Sequence, residues 1–144
     1  MSLRKSMMGD LELAKGGAWI NLANYPNEDG TIPGFLMARQ SAQQNPKFAE
    51  AVQKLAKREA PVGEQLSVDD AMALDTAVFV EGLLLGWRNF EPDKEGVKVD
   101  YSLAEANRIF LDQAWCDLKN FLVSESSKRS NYVAMSRELA AKNS

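Results

Sequence analysis

Three aspartates, Asp69, Asp70 and Asp75, are the closest the sequence comes to a carboxylate cluster for acid–base or metal chemistry. Neighbouring residues 69 and 70 point in different directions on a helix. Acids in a first helical turn are already accounted for by the helix dipole. The stretch Asn89–Gly96 (Asn-Phe-Glu-Pro-Asp-Lys-Glu-Gly) is acidic and ends in glycine. It lacks the alternating ligands and closing glutamate of a calcium loop, and reads as a solvated turn. Cys116 is the only cysteine, between Trp115 and Asp117, with nothing adjacent to stabilise a thiolate.

Histidine is absent altogether. This removes the usual proton shuttle near neutral pH and, with one cysteine, every Cys/His zinc site. Ser-His-Asp and Cys-His catalysis go with it. No catalytic, metal or cofactor-binding residue is nominated, and the chain is read as non-enzymatic. Its net charge is −3, which disfavours non-specific binding to nucleic acid, because displacing phosphate counterions needs a basic surface. Lys128, Arg129, Arg137 and Lys142 make the end of the chain locally basic, but Glu125 and Glu138 dilute it. The longest apolar run, Val78–Leu85, is interrupted by Glu81 and is too short to span a bilayer. No signal-peptide pattern opens the sequence. These features predict a protein that stays in the cytoplasm, with no membrane or nucleic-acid partner.

The elements that would position an interface are predicted as follows. Residues 1–17 read as a loose arm. Two β-prone runs, about 18–25 and 34–40, flank Asp29-Gly30 and predict a small hairpin. Asn45-Pro46 opens a helix over about 46–59, with asparagine as cap and proline in the first turn. Ser67 caps a second helix, about 68–86, whose far end is apolar nearly all round. Gly86 is placed to end it, and Gly82 suits either a close helix crossing or self-association. Ser102-Leu103-Ala104-Glu105 is a capping box and opens a third helix, about 103–124. A last helix runs over about 131–142. The expected fold is mainly α: one domain, 18–144, of about four helices with a small N-terminal hairpin. Trp19, Phe35, Phe79, Leu83 and Trp87 are the candidates for partner contact or self-association. Aromatic residues at the edges of apolar elements either plug a core or anchor an interface, and sequence does not separate the two.

The order of these features resembles that of the tail assembly chaperones of long-tailed phages. The stretch Glu81–Phe90, with Gly86-Trp87 followed by a polar turn, is similar to a helix end in that family. Tyr101 before the capped helix, Asn131-Tyr132 after it, the run from Trp19 to Arg39 and Asn45–Phe48 fall in the same order, so the resemblance spans about 18–132. One departure is the absence of a proline break between Asp112 and Asp117. The resemblance implies a cytoplasmic homo-oligomer that binds the tape measure protein and holds it soluble until tail tube protein polymerises around it. The alternative is a helical adaptor or regulatory protein-binding module of phage or bacterial origin.

Overall fold

The computed structural model describes residues 2–57, 67–134 and 136. Two short helices, α1 (Leu3–Met7) and α2 (Leu11–Gly16), precede strand β1 (Ala18–Asn21) and strand β2 (Gly34–Met37). Helices α3 (Pro46–Lys57) and α4 (Val68–Gly82) follow, then strand β3 (Leu84–Arg88). The rest comprises α5 (Leu103–Phe110), a 3-10 turn Gln113–Trp115, α6 (Cys116–Ser126) and a second 3-10 turn, Arg129–Asn131. The architecture is predominantly helical around one small antiparallel sheet of order β1-β2-β3.

The caps read from sequence form where their chemistry requires. The Asn45 side-chain oxygen accepts from Phe48 N, and Ser67 Oγ accepts from Asp70 N at 3.1 Å. Ser102 Oγ accepts from Glu105 N at 3.1 Å. The reciprocal half of that capping box is not made, because the Glu105 carboxylate turns to the Arg108 guanidinium instead. Asn45 also donates, fully buried, to the carbonyls of Arg39 and Gly82, 2.9 Å each. It thereby ties the end of α4 to the turn before α3.

Three elements differ from the expected ones. The second helix stops at Gly82 rather than 86, and Leu84–Arg88 is a third strand against β2. An apolar run with no polar face fits a buried strand as well as a buried helix, and here pairing with Phe35 and Leu36 decides for the strand. Gly86 therefore lies opposite Leu36 in the sheet and is no helix cap. Gly82 does serve a close crossing: a Cβ there would stand 3.1 Å from Phe48 Cα. The third helix is broken after Phe110, because the Asp112 side chain accepts from Ala114 N and starts a separate turn. The first seventeen residues, expected to be a loose arm, include two short helices, and Ala14 is fully buried. Most of the expected last helix, and the end of the first, lie outside the described residues.

The core sits between the inner face of the sheet and α4, α5 and α6. Ile20, Phe35, Met37 and Trp87 project into it from the strands, Phe79, Val80 and Leu83 from α4 and its end, and Ile109, Phe110 and Leu122 from α5 and α6. Its centre is a chain of edge-to-face rings, with Phe90 at 4.9 Å from Phe35 and 5.2 Å from Trp87. Such pairs add about 0.5–1.5 kcal/mol each beyond burial. Trp87 Nε1 donates to the carbonyl of Val99 at 2.7 Å, which satisfies its one polar atom and fastens the loop after β3 over the core.

Candidate functional site

Four of the five residues singled out from sequence lie in the core. Phe35 and Trp87 are register partners on β2 and β3 with ring centroids 6.4 Å apart. Phe79 packs edge-to-face on Phe110 at 4.9 Å, and Leu83 is buried at the end of α4. Trp19 alone faces out, 42% exposed, on the opposite face of the sheet. The structure thus does not bring the five together on one surface.

A concave surface forms elsewhere. The loop after β1 carries Leu22 and Tyr25, and α6 carries Leu118 and Phe121. Between these two walls runs a groove with a cavity volume of about 450 Å³. Its floor is Pro33, Phe35 and Phe90, all buried, with Trp115 at one side. Tyr25 is 72% exposed and Phe121 43%. The break between α5 and α6 is what re-aims the helix so that Leu118 and Phe121, three apart on one face, overlook the floor. Leu118 and Phe121 fall within the third helix expected over about 103–124, at a spacing that puts both on one apolar stripe. Sequence reasoning missed that part of this stripe stays uncovered, because the break that rotates it was not foreseen.

The groove mouth is held by polar contacts between two loops. Asn27 Nδ2 donates to the carbonyl of Asn89 at 2.8 Å, and Asn89 Nδ2 to that of Ile32 at 3.0 Å. Asn89 adopts φ 56, a left-handed conformation that asparagine tolerates better than most residues. Lys98 bridges the same loops, from Asp29 to Glu91 at 3.6 Å. The hydrogen bonds from Lys98 and from the Thr31 hydroxyl hold the Asp29 carboxyl well below the usual carboxylate range. Glu91 and Asp117 are the charged residues lining the groove, and both are acidic.

A second hollow of about 490 Å³ lies between α3, the end of α4 and Tyr101. Lys47, Glu50, Lys54 and Glu81 line it with Leu84 and Leu85, and burial pushes the Tyr101 phenol up from its ordinary pKa. Among the described residues no three His, Cys, Asp or Glu side chains gather where they could hold a metal ion. Among the same residues no helix is long and apolar enough to cross a membrane.

No curated protein and no solved structure matches the sequence. The family described as "YdaY prophage protein" matches residues 38–143, which takes in everything from the end of β2 onward. That span includes the β3 strand, the broken α5–α6 unit and half of the groove, and the chain belongs to this phage-associated family.

Proposed function

We propose that this chain is a non-catalytic protein-binding module of a prophage, and that it takes an apolar segment of a partner protein into the groove between Tyr25 and Phe121. The observation that carries this reading is the groove itself. Two apolar walls from distant parts of the sequence stand open over a floor of Pro33, Phe35 and Phe90, and the charged residues of the lining, Glu91 and Asp117, are both acidic. A concave, mostly apolar hollow of this volume is the usual form of a binding site. An amphipathic helix laid into such a groove buries its anchor residues against both walls.

A second reading is the tail assembly chaperone, with the tape measure protein as client, self-association into homo-oligomers, tail tube protein as a possible neighbour and the host cytoplasm as its place. Membership in a prophage family and the ordered resemblance over 18–132 support it. In the stretch that carries most of that resemblance, Glu81–Phe90, the helix ends at Gly82 and the Gly86-Trp87 pair lies in strand β3 instead of at the helix end, so the adaptor is the better-supported reading.

The experiment is co-expression of the chain with the tape measure protein and, separately, with the products of neighbouring prophage genes. Soluble fraction and copurification are measured for the unmodified chain and for Tyr25→Asp and Phe121→Asp, the exposed residues of the two walls. Loss of a stoichiometric complex in both variants, each still unfolding cooperatively, is the expected result. A complex that survives both substitutions would remove the groove from the proposal. A soluble tape measure complex would select the chaperone reading.

A further inference from the structure

The outer face of the sheet carries a second, independent feature. Arg88 on β3 reaches across β2 and lies over the Trp19 indole on β1, its guanidinium carbon 4.1 Å from the ring centroid. Its Nη2 donates to Asn21 Oδ1 at 2.8 Å. The reach is possible because the residue between them is Gly34, the register partner of both Asn21 and Arg88. A Cβ at Gly34 would stand 2.5 Å from Asn21 Oδ1 and 3.0 Å from Arg88 Nε.

The cluster is built but its charge is unanswered. Arg108 has Asp93 and Glu105, Lys98 has Asp29 and Glu91, and Lys119 has Asp75. Arg88 is exposed and makes no ion pair among the described residues, although the chain carries an excess of acids. A guanidinium held by an indole and an amide has lost much of its rotamer freedom beforehand, so a bidentate carboxylate partner is cheap to bind. Tryptophan and arginine are also the residues that dominate binding energy at interfaces.

The backbone beside the cluster indicates the shape of the occupant. Leu22 N donates to the carbonyl of Pro33, which makes the bonded pairs of the hairpin 22/33, 20/35 and 18/37. The N–H and C=O of Trp19 and Asn21 therefore point away from β2, off the edge of the sheet. They take no backbone partner among the described residues. We infer that the β1 edge docks an extended acidic segment of another protein, added as a fourth strand, with a carboxylate on the outer face meeting Arg88. A second copy of the chain fits less well, since antiparallel pairing of two β1 edges brings two arginine clusters together. A nucleic-acid strand fits less well too, because one arginine on an acidic chain neutralises few phosphates.

The test follows the indole N–H signal of Trp19, assigned with Trp19→Phe, in a two-dimensional NMR titration. The probes are a synthetic peptide alternating valine and glutamate, its twin with lysine for glutamate, and a single-stranded oligonucleotide. The glutamate peptide is expected to shift the signal saturably by millimolar concentration. Arg88→Gln and Gly34→Ala should each weaken binding about tenfold, with the lysine twin inert. Equal response to both peptides, or none to either, overturns the inference. So does an unchanged affinity in Arg88→Gln, an oligonucleotide response in place of the peptide, or a shift that depends only on protein concentration. Phe121→Asp, which disables the groove from α6, should leave this titration unchanged, so the two proposals fail separately.

Discussion

The Tyr132 hydroxyl donates to the main-chain carbonyl of Met37 at 2.8 Å, across 95 residues of sequence, with both side chains fully buried. The same residue's carbonyl accepts from Asp10 N at 2.7 Å, and Ala134 N donates to Met8 O at 3.0 Å. Tyr132 therefore joins three segments: the start of the chain, the end of β2 and the stretch after α6. Isolated helices as short as α1 and α2 are not stable. Their order here rests on this junction and on Ala14, whose carbonyl accepts from Arg39 N at 2.9 Å.

Removing that hydroxyl should loosen the junction without emptying it. Tyr132→Phe is expected to cost about 1–2 kcal/mol in urea unfolding. Hydrogen exchange should quicken at Asp10 and Ala134 first. Burial raises the Tyr132 phenol well above its ordinary value of 10.0. The unfolded chain then ionises first as pH rises, so stability is complete below about 10 and declines above it. Tyr132→Phe should flatten that alkaline decline, which paired urea titrations across the range would reveal.

Lys119 and Asp75 make an unequal pair. The lysine side chain is 8% exposed and the aspartate 67%. The cost of desolvation falls on the buried ammonium, and the exposed carboxylate is what offsets it. Lys119→Met keeps the aliphatic stem and removes the charge, so its unfolding free energy should match or exceed that of the parent. Asp75→Ala leaves the ammonium without its partner and should cost about 1.5–3 kcal/mol. A larger loss for the methionine variant would reverse this account.

The Asp29–Lys98 pair is exposed, and its work is local. Asp29 is held ionised below its ordinary 3.8 by the Lys98 and Thr31 hydrogen bonds. Its contribution is therefore intact above that value and is lost only as pH falls through the lower folded one. Asp29→Asn should leave the thermal midpoint nearly unchanged, because exposed pairs contribute little to global stability. Exchange at Thr31 and Val97–Val99 should still accelerate, and molar salt should reproduce part of the effect in the unmodified chain.

Local chemistry was legible in the sequence wherever a few adjacent residues settle it. Asn45-Pro46, Ser67 and Ser102 begin helices as read, which gives the mainly helical class, and the β-prone runs on either side of Asp29-Gly30 give the β-element near the start. What escaped depends on contacts distant in sequence. Leu83–Trp87 is apolar on every side, and only the presence of β2 makes it a strand. Asp112 caps one turn over another, a competition that leaves no trace in the apolar periodicity. Trp19 and Trp87 look alike as sequence. Register separates them: Trp87 pairs with Phe35 on the inner face of the sheet, whereas Trp19 pairs with Leu36 on the outer face, one residue before the inward Ile20.

The groove separates stability from binding in a way that single substitutions can expose. Phe121 is 43% exposed and Phe90 only 5%, though both line the same hollow. Phe90→Ala removes a ring packed against Phe35, Trp87 and Trp115 and should cost about 3–5 kcal/mol. Phe121→Asp removes a half-buried ring and should cost less, about 1–2 kcal/mol, with cooperative unfolding kept. If the groove is a docking site, the order reverses for the partner: Phe121→Asp should abolish binding in a chain that still folds. Loss of more than about 2 kcal/mol of stability in Phe121→Asp would instead make this residue part of the core, with no surface left over for a partner to cover.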